Sequence, residues 1–81
     1  MTNTEKLQGK MREKKFTIKS LAGKVGLSST ALFNKIHNQK EFLVSEVKSV
    51  AAALALTESE TYEIFFSNSV ELKSTEKKRE G

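Results

Sequence analysis

The sequence has no cysteine, no proline and a single histidine. Without cysteine there is neither a disulfide framework nor a thiolate metal site, and one histidine is too few for an imidazole site, so no metal and no cofactor is expected. What holds the fold together must be apolar side chains. No apolar run approaches the ~20 residues of a membrane-spanning helix, and the opening stretch MTNTEKLQGK lacks the apolar segment of a secretory signal. The expected setting is cytoplasmic, with no membrane partner. No strand-like alternation and no internal repeat is present. At 81 residues the chain makes one small domain at most. A domain of that size buries only ~60–65% of the surface its unfolded chain exposes, so modest stability is expected.

What the sequence does have is charge, unevenly divided. Residues 1–40 carry nine Lys/Arg against two Glu, a balance of +7, whereas residues 41–81 carry five against eight, −3. A basic half on a small domain is the footprint of a polyanion-binding face, which attracts phosphates and releases condensed counterions. The competing reading is a lysine surface that only solubilises.

The apolar spacing is helical and the segments are short, so the expected fold class is all-α with five helices. Asn3 or Thr4 caps the first, with Leu7 and Met11 one turn apart on its inner face. Thr17 caps the second, whose apolar stripe is Ile18, Leu21, Ala22 and Val25, and Gly26 stands where a left-handed C-terminal cap is needed. Ser28 caps the third, which runs through Leu32 and Ile36 to about His37. After the turn HNQKEF comes a fourth helix from about Val44 to Leu54, with Val47, Val50, Ala51 and Leu54 facing in. TESE, Thr57 to Glu60, has the spacing of a capping box and opens a fifth helix through Tyr62, Ile64, Phe65 and Phe66. The expected core is Leu7, Met11, Leu21, Ala22, Val25, Leu32, Ile36, Val47, Val50, Leu54 and Phe65. The domain is expected to occupy residues 1–66, followed by a flexible, disordered polar tail over 67–81, SNSVELKSTEKKREG.

The stretch SLAGKVGLSSTALFNKIHNQK ends one helix at Gly26 and starts another almost at once. Helices joined by so short a turn cross steeply and need small residues where their backbones approach, which Ala22 and Gly26 supply. Leu27 fills the wedge, while Leu32 and Ile36 seat the following helix and leave its other face in relief. A helix held out in this way fits the major groove of double-stranded DNA. The alternative is a plain helical bundle with an incidental glycine turn.

The segment TIKSLAGKVGLSSTALFNKI resembles the helix-turn-helix of the Cro and phage-repressor class at Leu21, Ala22, Gly26, Leu27, Ser28 and Leu32. The continuation to Phe66 is similar to small regulators of temperate phages of Gram-positive bacteria. The resemblance covers about residues 4–66 and implies a transcription regulator in a lysis–lysogeny genetic switch, working in the cytoplasm of a bacterial host. It implies base contacts at Ser29, Thr30 and Asn34 and a backbone contact at Ser28. Helix geometry adds Ala31, since at about 100° per residue Thr30 and Asn34 point away from the Leu32–Ile36 side with Ala31 beside them. Asn can pair bidentately with adenine, and Ala or the Thr methyl can pack on a thymine methyl. The phosphate candidates are Thr17, Lys19, Lys24, Ser28, Lys35, Asn38 and Lys40.

Two positions depart from the class. Ile18 stands where Gln is frequent, and Ser29 where Gln or Arg is frequent, so polar reach toward DNA is shortened. Phe33 lies on the flank of the third helix, about 80° from its buried centre. Phe33, Tyr62, Phe65 and Phe66 are therefore candidate protein-contact residues. Two partners suit them besides operator DNA: a second copy of the chain, and a cognate phage repressor whose activity the chain modulates by direct complex formation. No catalytic residue is expected: His37 has no acid or nucleophile set beside it by local motif, and no phosphate-cradling glycine loop or carboxylate pair stands out. The chain is thus read as a non-enzyme with no small-molecule substrate.

Overall fold

The computed structural model describes residues 1–66, so the tail expected over 67–81 lies outside the described residues. Those residues form five α-helices and no strand: α1 (Thr4–Glu13), α2 (Ile18–Val25), α3 (Ser29–Ile36), α4 (Val44–Ala53) and α5 (Glu58–Phe65). None is long and apolar enough to cross a membrane.

Four helices start on a short polar side chain that accepts a backbone N–H of the first turn: Asn3 from Lys6, Thr17 from Ser20, Ser28 from Ala31 and Thr57 from Glu60, each at 3.0 or 3.1 Å. Helix α4 starts at Leu43, which has no such side chain. Its Glu46 carboxylate reaches back instead and accepts the Leu43 N–H at 2.8 Å.

The helix ends share one device. After α1, α2, α3 and α4 the chain takes a left-handed residue, respectively Lys15 (φ 64°), Gly26 (φ 78°), Asn38 (φ 63°) and Ala55 (φ 53°). The N–H that follows returns to the helix: Phe16 to Met11 O at 2.8 Å, Leu27 to Ala22 O at 3.0 Å, Gln39 to Asn34 O at 2.8 Å and Leu56 to Ala51 O at 2.9 Å. Carbonyls that the helix would leave orphaned are thereby satisfied. Only one of the four ends uses glycine, the residue that adopts this conformation without strain.

The core draws on all five helices. Leu7, Leu21, Leu32, Ile36, Val50 and Leu54 are fully buried, and Met11, Ala22, Val47, Ile64 and Phe65 nearly so. Helix α2 packs on α3 and α4, and α5 packs on α1 and α4. The two ends of the described chain meet: the Asn3 N–H donates to Ile64 O at 2.7 Å. Two expectations are corrected. Val25, the last residue of α2, only packs against the edge of the core, because the chain turns away at Gly26. Ile64 belongs to the centre, brought there by the α1–α5 pairing.

Candidate nucleic-acid interface

Helix α3 is joined to α2 by Gly26, Leu27 and Ser28 alone. Leu27 packs against the core and anchors the turn, while Leu32 and Ile36, one turn apart, are both at 0% exposure. These anchors fix the roll of α3 about its axis. Ser29, Thr30 and Phe33 are then exposed, and Ala31, Asn34 and Lys35 half-buried. Asn34 is more covered than its position opposite the core implies. The reason is the return of the chain after α3: Gln39 and Lys40 both donate their N–H to the Asn34 carbonyl, at 2.8 and 3.3 Å.

Several residues proposed for phosphate contact have other partners. The Lys35 ammonium binds Glu46 of α4 at 2.5 Å, with only 13% of either side chain exposed. Burial pushes the Glu46 carboxyl up, but the Lys35 hydrogen bond and the Leu43 N–H together outweigh it and leave the group below its ordinary value. Asn38 is turned toward the N-terminus: its carboxamide oxygen accepts the Thr2 N–H at 2.8 Å, and its amide donates to Thr2 O at 3.0 Å. Thr4 closes the same clasp by donating its hydroxyl to Ile36 O at 2.6 Å. Lys24 shares a shallow depression with Ser49, Ala52 and Ala53, which lies on the α4 side of α2. Lys35 and Asn38 are thus tied to other parts of the fold, Asn38 while remaining exposed, and Lys24 is exposed beside α4.

The charge asymmetry along the sequence is partly cancelled in space. Lys6 pairs with Glu63 at 3.2 Å, and Lys10 pairs with Glu60 at 2.6 Å and Glu13 at 3.4 Å. The hydrogen bond to Glu60 is the main reason the Lys10 ammonium is raised above its ordinary value, and the same bond holds the Glu60 carboxyl below its own. The other oxygen of Glu60 accepts the Thr57 N–H at 2.9 Å, so one carboxylate both caps α5 and binds α1. The first-half cations that form no ion pair among the described residues are Arg12, Lys14, Lys15, Lys19, Lys24 and Lys40, all exposed.

Thr17 and Ser28 cap the N-termini of α2 and α3. The Thr17 hydroxyl accepts the Ser20 N–H while the Ser20 hydroxyl accepts that of Thr17 at 2.9 Å. Lys19 stands exposed one residue into α2. Of the expected DNA-contact residues, Thr17, Lys19, Lys24, Ser28, Ser29, Thr30, Asn38 and Lys40 are exposed, and Arg12, Lys14 and Lys15 add exposed basic groups that the expected set lacked. No group of three or more acidic, His or Cys side chains among the described residues is placed to hold a metal ion.

The aromatic residues divide. Phe33 is 47% exposed and rests on His37, the ring centroids 4.3 Å apart. Tyr62 and Phe66 are 45% and 40% exposed. Phe65, expected both in the core and among the protein contacts, is in the core and not at the surface, edge-on to Phe42 at 5.2 Å. In a short helix pressed against both α1 and α4, Ile64 and Phe65 are the side turned inward, which leaves Tyr62 and Phe66 outside.

No protein-family model matches this chain, and no curated protein or solved structure shows significant similarity to it.

Proposed function

We propose that this chain is a DNA-binding transcription regulator of the Cro and phage-repressor kind, in which α2 and α3 act as a helix-turn-helix and α3 enters the major groove of operator DNA. The observation that carries the reading is the pairing of opposite surfaces on α3. Leu32 and Ile36 are completely buried while Ser29 and Thr30 stand exposed at its N-terminal end. In helix-turn-helix docking it is the N-terminal residues of the second helix that reach base edges. Ser29, Thr30, Ala31 and Asn34 read bases, Thr17, Ser28, Lys19 and Lys40 grip phosphates, and the role fits a lysis–lysogeny switch. Because the reading side chains are short, one subunit discriminates weakly among sequences.

A second reading rests on Phe33. With Lys35 committed to Glu46, the most prominent group on the outer flank of α3 is an exposed aromatic ring. Such a ring is a natural anchor for a protein partner, here the cognate phage repressor, whose activity the chain would modulate. One titration separates the two. The purified chain is added to a duplex from the promoter region of its own genome, with and without the repressor encoded beside it. Binding without the repressor, weakened by Thr30→Ala and Lys19→Ala, supports direct readout. Binding to the repressor in the absence of DNA, lost on Phe33→Ala, supports the second reading.

A further inference from the structure

Residues 14–17 join α1 to α2, and exposed cations gather around this connection: Arg12, Lys14, Lys15 and Lys19 lie within eight residues. The one carboxylate among them, Glu13, is paired with Lys10 at 3.4 Å. Arg12 stands in the last turn of α1, where the helix dipole favours a cation, so its charge alone points to no ligand. Lys15 is different. It lies past the helix at φ 64°, a conformation in which a Cβ crowds the backbone and which glycine adopts without strain. The bonds around it fix that conformation: its N–H donates to Arg12 O at 3.1 Å and the Phe16 N–H to Met11 O at 2.8 Å, with Phe16 packed against the core. The Lys15 ammonium is exposed and forms no ion pair among the described residues that could offset the strain. Ala55 shows that such strain alone marks no site; at Lys15 it coincides with a free charge.

We infer that the α1–α2 connection, with Lys15 at its centre, is a phosphate contact in its own right, lying along the DNA backbone beside the groove that α3 enters and adding affinity without reading sequence. The inference rests on the DNA reading of α2 and α3. Thr17 caps α2 and Lys19 follows in its first turn, so a strand held at the start of α2 passes close to the connection. At most ~7 Å of backbone separates Lys15 from Thr17. With one charge per ~3.4 Å of axis on each strand, a neighbouring phosphate is within reach of a lysine there. Point charges on long stems, spread around a turn, suit a row of phosphates, and such contacts position a protein on a duplex without carrying sequence information. Lysine at position 15 therefore lowers the stability of the fold and raises its affinity for DNA, a trade that glycine would reverse.

The test sets Lys15→Gly beside the parent in the full chain, with a thermal melt and with titrations of a promoter-region duplex and a scrambled duplex of equal length across a salt series. Lys15→Gly is expected to melt higher than the parent. Its affinity for both duplexes should fall by roughly threefold or more at low salt, with the log–log salt slope flatter by about one. The ratio between the two duplexes should stay as it is in the parent. Lys15→Arg, which keeps the charge, should retain the parent's slope. Lys48→Ala removes an exposed cation on α4 and controls for net charge alone; its slope is expected to match the parent's. A parent that binds while Lys15→Gly binds equally well with the same slope overturns this inference and leaves the DNA reading standing. A slope flattened as much by Lys48→Ala, a promoter preference lost in Lys15→Gly, or a Lys15→Gly protein that melts lower than the parent also overturns it. A parent that binds neither duplex at any salt concentration overturns the DNA reading, and this inference with it.

Discussion

Lys35 on α3 and Glu46 on α4 form an ion pair whose side chains are each only 13% exposed. Glu46 also accepts the Leu43 N–H at 2.8 Å, so one carboxylate joins α3 to α4 and closes the start of α4. Lys35→Met leaves that carboxylate half-buried without its cation. We expect a loss of about 1–3 kcal/mol, between the ranges for exposed and buried pairs. The thermal melt reads it. A Lys35→Met protein as stable as the parent but weaker on DNA would return Lys35 to the phosphate contacts.

The same pair sets an acid limit. Glu46 and Glu60 both lie below the ordinary carboxylate value of 4.5, so their stabilising contribution is complete above that pH. It is lost as the pH falls through their lowered values. Lys10 is raised above 10.5, and its contribution is complete below that pH and lost above the raised value. Urea midpoints measured across pH should be flat between these limits and fall on the acid side. In Glu46→Gln the acid-side fall should be smaller, and an unchanged profile would contradict the assignment.

Leu32 is the residue that seats α3, with no exposed surface. Leu32→Ala should cost ~2–5 kcal/mol, a large fraction of what so small a domain has. Circular dichroism is expected to show a strongly lowered or absent transition. A melt like the parent's would contradict the placement of α3.

Two of the left-handed helix ends make opposite predictions. At Gly26, φ 78°, a Cβ would meet nothing within 4 Å, so Gly26→Ala costs only backbone strain, ~1 kcal/mol. At Ala55, φ 53°, the strain is already present, and Ala55→Gly should stabilise by ~0.5–1 kcal/mol. Chemical denaturation of the two variants checks both signs.

The helix starts were legible in the sequence because capping is local: Thr17, Ser28 and Thr57 each bond a backbone group three residues on. Leu32 and Ile36 were legible from their spacing alone. Lys15 and Ala55 were not, since nothing in a lysine or alanine announces a left-handed turn as glycine does at Gly26. The ties of Lys35 and Asn38 were not legible for a different reason. Their partners, Glu46 and Thr2, lie 11 and 36 residues away, and only the packed helices bring them together. In α5 Phe65 was read as buried from the sequence, but adding Ile64 to the core required knowing that α5 packs on both α1 and α4.

The central claim is that the exposed N-terminal end of α3 reads DNA. Its most direct test is the affinity of the full chain for a duplex from its own promoter region and for a scrambled duplex of equal length, measured across a salt series. The account predicts tighter binding to the promoter duplex, with log affinity falling linearly and steeply as log salt rises. Thr30→Ala should narrow the gap between the two duplexes, while Lys19→Ala lowers affinity for both and flattens the salt slope by about one. Equal affinity for the two duplexes at every salt concentration, or binding that salt does not weaken, would contradict it.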